Sequence, residues 1–355
     1  MENITERGRD CTEAKSSRQP TATDRRTVLS RIGGVAGIAS LTSVAGCTSL
    51  LGGDPLTVAY GPSFRTLQAP VMDAQGYLDE LDASVTVKNY READDDGWGI
   101  LDDPVEVRFE DIMSVLIKHY GGTGDKVLAA NNQNDCALLA GDEFARVWKD
   151  TGTDAFTTFL EENDEPFSLE TSDKNRTLVW LDAIGVPHEE VKLNGSRHVP
   201  SIRRRLQDGD CDGVLLSEPT LTTLTRTDVA LEEIGWIGNA GFNVPGGVMT
   251  VQDELWKDRP ELVKEILKKH ARATEDLNER PIDVAPIVSD AFGDELSTAF
   301  VEEALKKRTA NFVTDPRPIT DEMNALAEIM AEWDIFEGSI ATDSIIDPSL
   351  YAEIS

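Results

Sequence analysis

LTVAYGPSFRTLQAPVMDAQGYLDELDASVTVKNY, residues 56 to 90, reads as strand, turn, helix and strand in succession. Leu56 to Tyr60 is a short apolar run stopped by Gly61-Pro62. Ser63 stands where a helix N-cap belongs, and Leu67, Val71, Ala74 and Leu78 recur on one helical face. Residues 85–90 then alternate as a second strand. A helix between two strands supplies the crossover that parallel pairing needs, so the expected class is α/β with a parallel sheet.

Moving forward, residues 105–109 alternate again, and Ile112, Val115, Leu116 and His119 mark a helix ended by Gly121-Gly122. Two apolar strands, 127–130 and 137–140, flank the polar run Asn131-Asn132-Gln133-Asn134-Asp135. Such a run suits either a ligand loop at a strand end or an exposed turn. From Gly141 the pattern restarts. Residues 167–170 form a strand, Ser172 is a candidate N-cap, and Leu178, Leu181 and Ile184 mark a helix closed by Gly185. Val199, Ile202 and Leu206 mark the next helix, and the strand at 211–216 ends in Ser217-Glu218-Pro219. Residues 229–237 and 248–251 lead back out, past Asn243-Val244-Pro245-Gly246-Gly247.

The remainder is helical. Leu262, Val263, Ile266, Leu267, His270 and Ala273 share one face, Met323, Leu326, Met330 and Trp333 share another, and Pro281 interrupts between helices. About 300 residues exceed one ordinary core, so two lobes are expected. The first occupies residues 56–140, the second 141–239, and residues 240–355 return to the first and add the C-terminal helices, with crossings near Gly141 and Ile237.

Upstream, Arg25-Arg26 precedes a mildly apolar run at 32–45 that closes on Ser43-Val44-Ala45-Gly46-Cys47. That run falls short of the roughly 20 residues that span a bilayer. The arginine pair resembles a twin-arginine export signal, and the residues up to Cys47 resemble a lipobox. This resemblance implies removal of residues 1–46, lipid on Cys47, residues 47–55 as a tether, and a protein held on the outer face of the cell membrane.

Removing the first 46 residues, with five acids and seven bases, leaves 60 acids against 27 bases. A nucleic-acid partner is excluded, because counterion release from phosphates needs a basic face. So large an excess repels itself at low ionic strength. Screening shortens to about 3 Å in molar salt, so the composition points to a halophile's surface. Hydrophobic residues make up 40% of the chain, in periodic segments that argue for a folded core.

Of the cysteines, only Cys136 and Cys211 fall in the body, as a disulfide or as two buried thiols. The four histidines lack metal-ligand spacing, and no metal or cofactor is expected. No Gly-x-Ser-x-Gly elbow, His-Glu-x-x-His or phosphate loop occurs, and Ser217 and Glu218, as neighbours on a strand, point to opposite faces. An enzyme is not expected.

Three places carry a family resemblance. Leu181 to Val186 with Val191, Leu206 to Val214 with Glu218-Pro219, and Asn243-Val244-Pro245 with Pro260-Glu261-Leu262-Val263 occur in order along the chain. Together with the anchor signal they resemble the substrate-binding lipoproteins of ABC importers, in the nitrate, sulfonate and taurine branch. The resemblance implies a two-lobed, type II periplasmic-binding-protein fold with two hinge crossings, a small-molecule ligand in the interlobe cleft, and a permease and ATPase complex as partner. An exported enzyme, or a protein related to pyrimidine-precursor synthesis on the same fold, is the alternative. The acidic stretch at 98–109 and the segment 167–172 depart from the family pattern where the cleft is lined.

Candidate walls of that cleft are Ser63, Arg65, Asn131, Ser172, Glu218 and Asn243. Ser63 and Ser172 are read either as plain helix caps or as part of an anion site at free helix N–H groups. Arg65 is read either as a charge-assisted contact or as a solvent-facing side chain. Glu218 favours a cation or amine, which would make the ligand zwitterionic or heterocyclic.

Overall fold

A computed structural model of the 355-residue chain describes residues 55–90, 105–122, 125–236, 244–293, 295–307, 309, 311–332, 340 and 342–354. β1 (Leu56–Tyr60) leads through a turn into α1 (Gln68–Ala74) and β2 (Val85–Asn89). β3 (Val107–Asp111), α2 (Ile112–Tyr120) and β4 (Lys126–Ala130) follow. Then come β5 (Cys136–Ala140), α3 (Asp142–Thr151), α4 (Ala155–Asn163), β6 (Phe167–Thr171), α5 (Lys174–Ala183) and β7 (Val191–Gly195). α6 (Val199–Asp208), β8 (Gly213–Ser217), α7 (Thr220–Thr225) and β9 (Glu232–Trp236) complete that half. β10 (Gly247–Val251) returns, and α8 (Asp253–Asp258), α9 (Pro260–Glu279), α10 (Pro281–Ala291), α11 (Thr298–Lys306), α12 (Thr320–Glu332) and α13 (Ser349–Ile354) finish the chain.

The strands form two sheets with the same plan, in the orders β2-β1-β3-β10-β4 and β7-β6-β8-β5-β9. In each, three parallel strands are joined by one antiparallel to its neighbours, β10 in the first and β5 in the second. The expectation of a parallel sheet therefore holds for the βαβ part and fails where a strand arrives from the other lobe. β5 also corrects the expected boundary at residue 140. Cys136 pairs with Ser217 and Ala140 with Gly213, so the crossing lies before Cys136 and not near Gly141. Ile237 and Asn243, the signal and Cys47 lie outside the described residues.

α1 corrects a second expectation. Ser63 does not cap it; Leu67 holds the N-cap position without a side-chain cap bond, and the Ser63 hydroxyl accepts instead from the Arg65 amide (3.2 Å). Ala74 is exposed at the end of this short helix, and Leu78 is buried from a separate 3₁₀ turn. Residues 63–67 are thereby free to lie as a turn over the strand ends, which brings Arg65 inward.

α9 carries the face read from sequence, with Leu262, Val263, Ile266, Leu267, His270 and Ala273 all buried against the first sheet. The second lobe is built on an aromatic cluster. Phe167 lies 4.2 Å from Phe144 and 5.2 Å from Phe156, the latter edge-on, the offset contact that ring quadrupoles favour.

A third apolar cluster spans the lobes: Ile112 and Leu116 of α2 and Met323, Leu326 and Met330 of α12 pack with Leu178 and Val179 of α5. Each such side chain contributes about 1.5–3 kcal/mol by burial. An exposed pair such as Arg226–Glu303, which also links the lobes, contributes about 0–1 kcal/mol. The lobes are held on this side by the seam.

Cys136 and Cys211 are both free and buried. The β5–β8 register puts them near opposite ends of the second sheet, about 15–20 Å apart at the strand rise, so they cannot bridge.

Candidate functional site

The carboxyl ends of β1, β3 and β4 in one lobe, and of β6 and β8 in the other, meet the segments that cross between the sheets. Those crossings are braided. Asn134 accepts from the Val244 amide at 2.7 Å, Asn132 accepts from the Gly247 amide at 2.6 Å, and the Val313 amide bonds the Asn131 carbonyl at 3.0 Å. The polar run 131–135 is therefore neither an exposed turn nor a free loop. Asn131, Asn132, Asn134 and Asp135 are all buried, and their amides and carboxylate replace water as partners for backbone that must pass through the interior.

Gly246 and Gly247 permit that passage. A Cβ on Gly247 would fall 1.9 Å from the Arg65 carbonyl oxygen, and one on Gly246 would fall 2.2 Å from Asn132 Oδ1.

Over this braid sits a cluster of five buried or half-buried charges. Arg65 Nη1 donates to Asp111 Oδ2 at 2.8 Å, and its Nε donates to Asp135. Arg176 Nη2, from the first turn of α5, donates to Asp111 Oδ1 at 2.8 Å and to the Gly246 carbonyl at 3.0 Å. Asp173 lies 3.4 Å from Arg176 and 3.9 Å from Arg65. Asp111 thus bridges an arginine from each lobe, one carboxylate oxygen to each.

Burial works against the charges of Arg65, Arg176, Asp111 and Asp135, and their partners overcome it. Arg176 and then Arg65 hold the Asp111 carboxyl down at about 2, and Arg65 holds Asp135 low as well. Asp135, Asp111 and Asp173 push the Arg65 guanidinium well above its ordinary value.

Two guanidinium nitrogens, Arg65 Nη2 and Arg176 Nε, are buried without a partner among the described residues, while Arg176 Nη1 makes only the 3.4 Å ion pair with Asp173. Buried N–H groups left this way are expensive unless a solute supplies the acceptor.

The sequence candidates separate here. Arg65 is at the centre of the cluster. Asn131 supports it from behind: its Nδ2 donates to the Arg65 carbonyl (2.9 Å), and its Oδ1 meets His270 Nε2 (2.9 Å). His270 is stacked on Phe109, and burial lowers its pKa to about 3, so the ring is neutral and holds Asn131 as a fixed strut.

Ser172 is not the cap of α5. Asp173 is, accepting from the Arg176 amide at 3.2 Å, while the Ser172 hydroxyl meets that of Ser217 at 3.5 Å on the adjoining strand end. Glu218, after which the peptide to Pro219 is cis, gives its oxygens to the Thr222 amide (3.1 Å), the Thr222 hydroxyl (2.9 Å) and Thr309 (3.3 Å). It caps α7 and fastens the tail segment instead of facing the arginines. Burial raises its pKa against the pull of Thr222 and Lys307.

Asp111, Asp135, Asp173 and Arg176 are the residues that sequence reasoning did not select. Asp111 and Asp173 each directly precede a helical run, the ordinary signal of a capping carboxylate, and Asp111 does accept from the Met113 amide at 2.9 Å. No pattern singled out Arg176.

Cys136 is poorly suited to act as a nucleophile. Burial and then Asp135 push the Cys136 thiol well up, away from the reactive thiolate. The arrangement is a network of two arginines and three carboxylates at the junction of two lobes.

No protein-family model matches the sequence, and no curated protein does. Among solved structures, the fold is similar to the periplasmic aliphatic sulphonate-binding protein SsuA of Escherichia coli, with 9% identity over 84% of this chain and 99% of that one and a TM-score of 0.62. It is also similar to the periplasmic nitrate-binding protein NrtA of Synechocystis PCC 6803, at 12% identity, 84% and 88% coverage and a TM-score of 0.59. The desulfurization enzyme DszB is similar too, at 14% identity, 85% and 98% coverage and a TM-score of 0.54. The fold is that of the two-lobed, type II periplasmic binding proteins. Solved structures of that fold similar to this chain thus include a sulphonate-binding and a nitrate-binding protein.

Proposed function

We propose that this protein is the extracytoplasmic solute-binding component of an ABC importer, capturing a small polar solute in the cleft and presenting it to a membrane permease and ATPase. The observation that carries this reading is the arginine pair. Arg65 and Arg176 come from different lobes, converge on one carboxylate, and keep two buried nitrogens, Arg65 Nη2 and Arg176 Nε, without acceptors among the described residues. A solute that filled those nitrogens would tie the lobes together, which is the closure such a protein needs. The likeness to two binding proteins supports the reading. The likeness to DszB supplies an enzyme alternative, in which the raised pKa of the buried Cys136 thiol speaks only against that thiol as nucleophile.

The test is titration of purified protein with nitrate, alkanesulfonates, taurine and thiamine-type pyrimidines, following thermal midpoint and radius of gyration. Binding with compaction in one class is the expected result. Neither change with any small solute would count against the whole assignment, and turnover of any of them would favour the enzyme.

The same reading places the protein on the outer face of the membrane through lipid on Cys47, after export through the Arg25-Arg26 signal, with residues 1–46 removed and the acidic surface working in high salt. Among the described residues, no helix is long and apolar enough to cross a membrane. One acyl chain holds only marginally, so paired chains are the expected anchor. Cys47→Ser is expected to abolish processing and release the protein from the membrane fraction; unchanged fractionation on flotation would remove the anchor.

A further inference from the structure

We propose that Asp111 is a built-in anion: it fills the place between Arg65 and Arg176 that a free oxoanion would take, and so selects against nitrate and simple sulfonates in favour of solutes that bring a positive group. The inference rests on the reading of this cleft as a solute site.

Its geometry is that of a bound oxoanion. Each carboxylate oxygen takes one guanidinium, Oδ2 from Arg65 and Oδ1 from Arg176, both at 2.8 Å, across the junction of the lobes. Unlike a ligand, this anion cannot leave. Asp111 ends β3 opposite Gly247 in the ladder, and its Oδ1 also caps α2 through the Met113 amide. Swinging it aside would uncap the helix and take one carboxylate oxygen away from each of two buried guanidinium groups.

The charge count gives the selectivity. Two arginines face three carboxylates, Asp111, Asp135 and Asp173, so the cluster carries one surplus negative charge before any solute arrives. A bare oxoanion would raise that surplus inside a half-buried site, where charges are weakly screened. Arg65 Nη2 and Arg176 Nε still lack acceptors among the described residues. Asp111 and Asp173 retain side-chain exposures of 25% and 13%, enough for a small donor to approach. The complementary solute offers an acceptor to the arginines and an ammonium or protonated ring nitrogen to these carboxylates. The low pKa of Asp111, about 2, keeps it charged near neutral pH.

Asp111→Asn tests this, because the amide keeps the shape and a capping oxygen while removing the surplus charge. Calorimetric titration and thermal shift at constant ionic strength should find no binding of nitrate or methanesulfonate by the wild type at millimolar concentrations. Asp111→Asn should bind one or both at least about tenfold more tightly, a difference of about 1.4 kcal/mol. Adding Arg176→Met should abolish the gain. Asp111→Ser, which also retains a capping oxygen, serves if the asparagine variant does not fold.

Uptake by the wild type of an amine-bearing zwitterion, but not of methanesulfonate, would support the proposal. Wild-type protein that binds nitrate or methanesulfonate as tightly as the variant would overturn it, as would folded variants of both kinds with no gain. If the variant gains anion binding while the wild type binds no solute of any charge, the built-in anion stands and the transport reading falls.

Discussion

Gly247→Ala is expected to destabilise the protein by at least about 3 kcal/mol, although it adds a single methyl group. The new Cβ would lie 1.9 Å from the Arg65 carbonyl oxygen and 2.8 Å from its carbonyl carbon, and this obstacle is backbone, which cannot turn aside as a side chain can. Relief would require parting β10 from the turn at 63–67, and that turn carries Arg65 and receives the Asn131 amide. Loss of stability and loss of solute binding should therefore appear together. Gly141→Ala is the control, since nothing lies within 4 Å of its Cβ. Urea denaturation at fixed high salt should leave Gly141→Ala within about 1 kcal/mol of the wild type, the cost of alanine at the N-cap of α3. Equal midpoints for the two variants would show that the backbone is not as close as described.

Arg176→Met should have an effect of similar size by a different route. Methionine matches much of the stem's volume, but Asp111 and Asp173 lose a buried guanidinium. Breaking one side of a buried ion pair costs about 3–5 kcal/mol. The pH dependence separates this from a packing defect. In the wild type, Asp111 has a folded pKa of about 2 against an ordinary 3.8. A depressed carboxylate contributes stability above the unfolded value and loses it as pH falls through the folded one. Without Arg176 that contribution shrinks, so the stability curves of wild type and variant should lie apart near neutrality and converge between about pH 4 and pH 2. Curves that stayed parallel through that interval would mean that Arg176 does not hold the carboxylate.

What the sequence made legible was local. Alternation located the strand at Val85–Asn89, because side chains along a strand point to opposite faces in turn, and a short apolar run located Leu56–Tyr60, which is buried at all but Thr57. The 3.6-residue period identified the buried face of α9 from Leu262 to Ala273, and Pro281 marked where α9 gives way to α10, since proline lacks the N–H that a helix interior uses. The order of these segments was enough for a two-lobed α/β fold.

The sheet to which Cys136–Ala140 belongs was not legible. All five residues are buried, so the strand has no polar face to orient it, and the same apolar run would satisfy either lobe. The helix starts erred by one residue at Ser172 and by several at Ser63, because serine and aspartate compete for the same cap and only the fold decides which reaches the free N–H groups.

Arg65 was legible as a candidate from its place after a strand and turn. Its partners were not: Asp111, Asp135 and Asp173 stand 46, 70 and 108 positions away along the chain. Charge pairing at such separations leaves no periodic trace. By itself, then, the sequence determined the elements, their order and the acidic surface, all set by each residue's contact with solvent or with neighbours a few positions off. Tertiary structure alone decided that two arginines from different lobes would share one aspartate, because that contact exists only once both sheets have formed and the crossings between them are braided.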